Sequence, residues 1–114
     1  VFLGGAILPG LKMSVQALAA GTSKLPHVEI SRQKEPLGVA TVDAIQSGIF
    51  YGHAGSIKEL CGIFKKEYFK DSAPLVIGTG GFAKIFEDSG IFDRIVPALT
   101  LIGVKKAIQL NEQV

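Results

Sequence analysis

A glycine-rich turn between two predicted elements is the part of this sequence best suited to binding a ligand. Gly78-Thr79-Gly80-Gly81 follows a short apolar run and precedes a predicted helix. Glycine lets the backbone turn tightly and approach a ligand closely, and a helix start offers free N–H groups and a positive dipole end to an anion. Thr79 adds a hydroxyl donor. The turn therefore suits a nucleotide, although a purely structural strand-to-helix turn uses the same residues.

The same turn matches the dinucleotide-binding pattern GxGxx(G/A) through Gly78, Gly80 and Ala83. In that pattern an acidic residue ends the next strand, about 20 residues further on. Here Asp93 comes before the next predicted strand instead. The sequence thus disfavours a nicotinamide or flavin site.

The other residues capable of chemistry are scattered along the chain. His27, His53 and the single Cys61 show no spacing typical of metal ligands. A lone cysteine within a predicted helix is usually a small core residue, and Asp43 is placed as an acidic residue of a first helical turn. On spacing alone, we predict no catalytic residue and no metal ligand in this chain.

Alternating helices and short strands must position these residues. Apolar residues recur at helical spacing in some segments, and β-branched runs bounded by Gly or Pro mark short strands in others. The predicted helices cover 11–25, with an end near Gly21 or Pro26, and 41–69, 82–87 and 100–111. The predicted strands are 1–8, bent at its glycines, 28–30, 74–77 and 95–96. This order predicts an α/β fold with at least partly parallel strand pairing.

The predicted helix 41–69 is the longest element. Thr41 is placed to cap its N-terminus. One face is apolar and consists of Val42, Ile45, Ile49, Ile57, Leu60, Phe64 and Tyr68. A second stripe is made of small residues, namely Ala44, Gly48, Gly52 and Gly55. Because each mid-helix glycine costs about 1 kcal/mol relative to alanine, the stripe indicates either a frayed or kinked helix or, as we favour, close approach of another backbone or a ligand.

Composition limits the classes of function. The 114 residues carry 12 Lys and Arg against 10 Asp and Glu, and a net charge of +2 gives no electrostatic footprint for nucleic acid. The apolar runs are too short for a membrane span, and a single cysteine rules out an internal disulfide and fits a reducing cytosol. Hydrophobic residues make up 47% of the chain and charged residues only 19%, below the usual quarter or so. We therefore expect some apolar surface to face a partner chain or a neighbouring domain.

The first residues suggest where the chain belongs in a larger protein. The opening VFLGGAILPG has no initiating Met and no polar lead-in. We expect it to begin inside a buried strand, as the C-terminal piece of a longer protein, while a short native chain processed at Val1 is the alternative.

Four sequence blocks, taken together, resemble type III pantothenate kinases. They are GGAILPG at 4–10, ATVDAIQSGIFYG at 40–52, GTGG at 78–81 and PALTLIG at 97–103. Their order and spacing are similar to the C-terminal half of that family. The resemblance implies an α/β fold of the ribonuclease H-like, actin-like ATPase class, the superfamily of acetate and sugar kinases, Hsc70 and actin. It also implies that residues 1–114 are an incomplete C-terminal domain of a two-domain protein, whose N-terminal domain is absent from this chain.

The activity implied by this resemblance is transfer of the γ-phosphoryl group of ATP to pantothenate, which yields 4'-phosphopantothenate for coenzyme A biosynthesis. The family works as a homodimer with a divalent cation such as Mg²⁺ and a monovalent cation, K⁺ or NH₄⁺. Its catalytic residues lie upstream of the matching region. We therefore expect a cytoplasmic homodimer without nucleic-acid or membrane partners, of which the 114-residue part alone is inactive.

Individual residue roles follow from the same resemblance. Thr41 matches a substrate-contacting threonine at the start of the long helix. The residues that match nucleotide-binding positions are Gly4, Gly5, Thr79, Gly80 and Gly81. Family members commonly carry a basic residue and then Asn or Ser before the threonine, where this chain has Val39-Ala40.

Two alternatives stay open at this point. One is a catalytically silent relative that acts as an interaction or regulatory protein, and the other is a different kinase of the same superfamily. An upstream Asp-x-Gly-Asn-Thr-type loop and a Gly-x-Asp-Arg-type segment would favour the pantothenate kinase over the silent relative.

Overall fold

The computed structural model describes residues 1–113, which form two compact units. The first unit is Val1–Ala73 and contains helix α1 (Leu11–Gly21) and helix α2 (Thr41–Tyr68). The second unit starts at Pro74. Its elements are strand β1 (Ile77–Gly78), a short 3₁₀ helix (Ala83–Phe86), strand β2 (Arg94–Ile95) and helix α3 (Leu99–Glu112). The mixed helix and strand content confirms the α/β character predicted from the sequence.

The core of the first unit lies where α1 packs against the first half of α2. The buried apolar residues of this unit are Leu11, Val15, Val28, Ile45, Ile49, Phe50 and Ala54. Leu11 and Val15 are four residues apart, as are Ile45 and Ile49, so each pair faces one side of its helix. An 11-residue helix is marginal alone in water, so this packing stabilises α1.

The apolar face predicted for α2 is buried over only part of its length. Ile45 and Ile49 are buried, whereas Val42 is 43% exposed and Tyr68 is 73% exposed. The glycines of the small-residue stripe face open space, because a Cβ placed on Gly48, Gly52 or Gly55 would meet no atom within 4 Å. Among the described residues, therefore, nothing packs against these three glycines.

The second unit confirms the prediction of parallel strand pairing. Strands β1 and β2 are parallel, with Ile77 opposite Arg94 and Gly78 opposite Ile95. The connection between them carries the 3₁₀ helix, and the buried apolar residues here are Ala83, Phe86 and Ile91. No residue of α3 is buried, and Leu101 on it is 72% exposed.

Two predicted strands do not form. Val1–Leu8 and 28–30 have no strand assignment, and Val1, expected inside a buried strand, is fully exposed. A strand requires a neighbour that pairs with its backbone N–H and C=O groups. Within residues 1–113, no backbone–backbone hydrogen bond joins either segment to another part of the chain.

The structure decides between the two predicted ends of one helix and changes the form of another. Helix α1 ends at Gly21, the earlier of the two predicted ends, because the Thr22 hydroxyl donates to the Leu18 carbonyl at 2.7 Å and accepts from the Leu25 N–H at 3.2 Å. The predicted helix 82–87 is a single 3₁₀ stretch of 4 residues. Among the residues that the structure covers, no helix has the combination of length and apolarity that a membrane span requires.

Candidate functional site

The glycine turn of the second unit is shaped by its own contacts. Gly80 has φ +90°, a conformation that L side chains rarely adopt. Gly78 is buried against an aromatic ring, since a Cβ at this position would lie 2.7 Å from Cδ2 of Phe92. These two glycines are therefore required by the turn and by the packing of Phe92. Gly81, in contrast, has open space where a Cβ would be.

The Thr79 hydroxyl is engaged within the second unit. It donates to the carbonyl oxygen of Val96 at 2.8 Å, and Pro97 O lies 3.4 Å away. A hydroxyl has one hydrogen to donate. The Thr79 hydroxyl, which was predicted to add a donor to the turn, therefore donates to Val96, and the groups that the turn offers a ligand are those of its backbone.

The electrostatic attraction of this turn for an anion is also weaker than predicted. The helix that follows is 3₁₀ rather than α and has only 4 residues, so few peptide dipoles add along its axis. Asp93, the candidate acid, is used within the unit: its Oδ2 accepts the Val76 N–H at 2.7 Å. This contact joins the residues that directly precede β1 and β2.

Gly4 and Gly5, the other predicted nucleotide-binding pair, lie beside the C-terminal end of α2. Gly4 has φ +131°. Together with Leu3 the two glycines line a cavity of about 230 Å³ whose opposite wall is Phe64, Tyr68 and Phe69. Phe64 and Tyr68 meet edge to face, with ring centroids 6.4 Å apart. Backbone atoms and aromatic faces in one concave site can hold a flat heteroaromatic ring.

Thr41 is exposed in the first turn of α2, but it does not cap the helix. The N-cap is Ala40, whose carbonyl accepts the Ala44 N–H at 2.9 Å and whose methyl side chain offers no capping hydrogen bond. The predicted capping role of Thr41 is therefore wrong, because the helix begins one residue earlier than a capping threonine requires. Its hydroxyl is left facing solvent at a helix N-terminus.

The loop before Thr41 is anchored on α2. The Tyr51 hydroxyl donates to the carbonyl of Gln33 at 3.1 Å, with the Lys34 carbonyl 3.3 Å away, and the Ser47 hydroxyl donates to the Pro36 carbonyl. Gly38 lies against the backbone of α2 so closely that a Cβ would collide with Asp43 and Ala44. A cavity of about 490 Å³ between this loop and Asp43 includes Arg32 and Lys34 in its lining. Thr41 thus follows a loop that is held in place by side chains.

The predicted site residues of the first unit are far apart. Thr41 starts α2, while Gly4 and Gly5 lie beside Phe64 near its other end. At 1.5 Å per residue, 23 residues of helix separate these positions by about 35 Å. One protomer therefore does not bring Thr41 and Gly4–Gly5 to a common reaction centre. Thr79, Gly80 and Gly81 belong to the second unit.

One contact was missed by the sequence analysis. His53, set aside as an isolated histidine, places Nε2 3.1 Å from the carbonyl oxygen of Pro9 and Nδ1 2.8 Å from that of Ile49. Pro9 is 44 residues away in sequence, so spacing gives no signal for this contact. The only sequence signal for this contact is the presence of a histidine within a long predicted helix and of a Pro-Gly pair at 9–10 that it could reach.

The described residues contain no group of three or more His, Cys, Asp and Glu able to hold a metal ion. The divalent cation implied by the family resemblance therefore finds no ligand set within this part of the chain.

Comparisons with known proteins agree with the resemblance. The family model described as Type III pantothenate kinase matches residues 1–62. Proteins named type III pantothenate kinase from Legionella pneumophila (strain Corby) and Dehalococcoides mccartyi are 44% and 43% identical over 110 and 112 residues. Type III pantothenate kinase 1 of Francisella tularensis subsp. holarctica (strain OSU18) is 43% identical over 111 residues.

These alignments cover 96% to 97% of this chain but only 43% of each relative. The chain therefore spans less than half the length of the relatives it matches. The family model itself covers more than half of the chain. The chain belongs to the type III pantothenate kinase family.

Proposed function

We propose that this chain is the C-terminal part of an enzyme that phosphorylates pantothenate to 4'-phosphopantothenate with ATP, in coenzyme A biosynthesis. The observation that carries the proposal is the identity of 43% to 44% to proteins named type III pantothenate kinase, over nearly the whole of this chain. The actin-like ATPase fold is part of the proposal, and the parallel β1–β2 pair of the second unit is compatible with it.

The roles of the two units follow from what their residues can offer. Gly4 and Gly5 supply a backbone edge opposite an aromatic wall, which suits the nucleotide. Thr79, Gly80 and Gly81 supply backbone groups from a tight turn, which likewise suit a nucleotide. Thr41 supplies a solvent-facing hydroxyl for pantothenate. Phosphoryl transfer depends mainly on positioning and charge stabilisation, to which such groups contribute.

The catalytic base and the cation ligands are proposed to lie outside this chain. Mg²⁺ bound to ATP would neutralise charge on the phosphates, and a monovalent cation, K⁺ or NH₄⁺, completes the proposed requirements. Cytoplasmic location is proposed from the single cysteine, which fits a reducing compartment.

A homodimer is proposed as the working form. Because Thr41 and Gly4–Gly5 of one protomer are about 35 Å apart along α2, we assign them to different active sites of the dimer. The exposed apolar residues of α3 and of the distal part of α2 offer surface for such an assembly.

The test is an assay of the full-length protein for ATP-dependent phosphorylation of pantothenate, with product identified by mass spectrometry. We expect turnover by the full-length protein that depends on Mg²⁺ and on K⁺ or NH₄⁺. The purified 114-residue chain should show none. A full-length protein that binds ATP or pantothenate without turnover would instead support the catalytically silent relative.

A further inference from the structure

We propose that His53 is a positioning residue, which fixes the segment carrying Gly4 and Gly5 along α2. The consequence for catalysis rests on the proposed function, because it takes these two glycines to contact the nucleotide. The segment from Gly4 to Pro9 is called the glycine strap below.

The contact at the end of the strap is well defined. His53 is half-buried, and its Nδ1 lies 2.8 Å from the carbonyl of Ile49, one helical turn earlier. This contact orients the ring so that Nε2 lies 3.1 Å from the Pro9 carbonyl. A carbonyl oxygen only accepts, so a hydrogen bond to Pro9 requires a proton on Nε2, just as one to Ile49 requires a proton on Nδ1, and a ring that carries both protons makes both bonds. Ser14 supports the same corner, donating from its hydroxyl to the Gly10 carbonyl at 3.0 Å.

The strap is short, so fixing one end limits where the other end can lie. Along α2, His53 and Phe64 are 11 residues apart, which corresponds to about 17 Å. Five residue steps from Gly4 to Pro9 reach about 17 Å when the chain is extended. Gly4 lies beside Phe64 and Pro9 beside His53, so the strap runs along this part of α2.

Few other interactions of the described residues restrain the strap. Val1–Leu8 take part in no backbone–backbone hydrogen bond to another segment of the described chain, and the first such bond joins Gly10 to Ser14. All residues of the strap are exposed. The His53–Pro9 hydrogen bond is therefore placed to set where Gly4 and Gly5 lie relative to the aromatic wall.

Two substitutions of similar size distinguish the contact made by Nε2 from the contact made by Nδ1. In His53→Gln the amide nitrogen can occupy the position of Nε2 and still donate to Pro9. In His53→Asn the shorter amide reaches only the position of Nδ1, toward Ile49, and the contact with Pro9 is lost. Tyr51→Phe is the matched control. It removes a hydrogen bond from the same helix, but that bond is made to the loop at Gln33 and Lys34 and not to the strap.

The experiment measures KM for ATP, KM for pantothenate and kcat in the full-length protein, together with the Kd of a non-hydrolysable ATP analogue by calorimetry. For His53→Asn we expect both the ATP KM and the analogue Kd to rise about fivefold, equivalent to about 1 kcal/mol. The pantothenate KM should change less than about twofold. His53→Gln and Tyr51→Phe should keep the wild-type values for the nucleotide.

Three outcomes overturn the inference: equal loss of affinity for both substrates, equal effects of Asn and Gln, or a nucleotide Kd unchanged in His53→Asn. The analogue Kd also separates this inference from the proposed function. A wild-type protein that binds the analogue but phosphorylates no pantothenate would refute the proposed function, and the Asn and Gln comparison would still decide the role of His53. A wild-type protein without nucleotide binding would refute both.

Discussion

The hydroxyl oxygen of Thr79 lies 2.8 Å from the carbonyl oxygen of Val96, 17 residues away in sequence. This hydrogen bond joins the residue after β1 to the residue after β2, and it continues the parallel pairing, in which the Val96 N–H donates to the Gly78 carbonyl at 2.9 Å. The two strands have only 2 residues each. A side-chain hydrogen bond at their carboxyl ends is therefore a substantial part of what holds them together.

Thr79→Val should therefore weaken the fold rather than nucleotide binding. Valine keeps the shape of threonine but removes the donor, so we expect a loss of about 1 kcal/mol in the free energy of unfolding. The ATP KM should stay within about twofold, because the backbone of the turn is unchanged. Thr79→Ser, which keeps the hydroxyl, is the control. Unfolding by denaturant and steady-state kinetics measure the two effects, and an ATP KM that rises without loss of stability would contradict this assignment.

The start of α2 provides a second prediction. Ala40 is a poor N-cap, so Ala40→Asn or Ala40→Ser should raise the free energy of unfolding by about 1 kcal/mol. Thr41→Ala should leave stability within about 0.5 kcal/mol, since Thr41 makes no capping hydrogen bond.

The same Thr41→Ala protein should have a raised pantothenate KM, because the hydroxyl is proposed to contact that substrate. Melting temperature and kinetics of the full-length variants separate the two effects. An unchanged pantothenate KM would remove Thr41 from the proposed site.

Gly38 should tolerate no side chain. A Cβ there would collide with the backbone of Asp43 and Ala44 in the first turn of α2, and helical backbone cannot move aside as a flexible side chain can. We expect Gly38→Ala to lower the free energy of unfolding by about 1 to 3 kcal/mol. Gly103→Ala in α3 is the control, because a Cβ there meets nothing within 4 Å. Equal melting temperatures for the two variants would show that the loop before Thr41 is not closely packed on α2.

The small-residue stripe of α2 gives a prediction about assembly. A Cβ on Gly48 or Gly52 meets open space in this chain, so helix propensity alone predicts that alanine stabilises α2 by up to about 1 kcal/mol at each position. If the stripe packs in the proposed homodimer, added methyl groups act in the opposite direction. We expect Gly48→Ala and Gly52→Ala to lower the melting temperature of the full-length protein and to weaken its self-association in ultracentrifugation. If the variants are instead more stable and dimerise as the wild type does, the stripe faces solvent.

Local patterns predicted the helices well. The extents of α2 and α3, apart from their terminal residues, follow from apolar residues repeating at helical spacing. The parallel pair was predictable because a glycine turn and a helical segment separate two β-branched runs. The predicted strand at residues 1–8 was wrong because strand formation depends on a pairing partner, which the local sequence does not encode.

The contacts that fix the candidate site were not predictable from spacing. His53 meets Pro9 across 44 residues, and Tyr51 meets Gln33 across 18. Both partners are backbone carbonyls, which every residue possesses, so no residue type marks them. The predicted capping role of Thr41 was wrong for a different reason. The helix begins at Thr41 itself and not one residue later, so this threonine lies in the first turn and not at the cap.

The exposure of α3 has a consequence for how the chain responds to denaturant. Surface that is already hydrated in the folded state is not newly exposed on unfolding, and both the denaturant m-value and the heat-capacity increment scale with newly exposed surface. A typical domain of this length has a heat-capacity increment of about 1.4 to 1.7 kcal/mol/K. No residue of α3 is buried, and Val15 is the largest fully buried side chain among residues 1–113. The 114-residue chain should therefore fall well below that range and unfold over a broad interval of urea concentration.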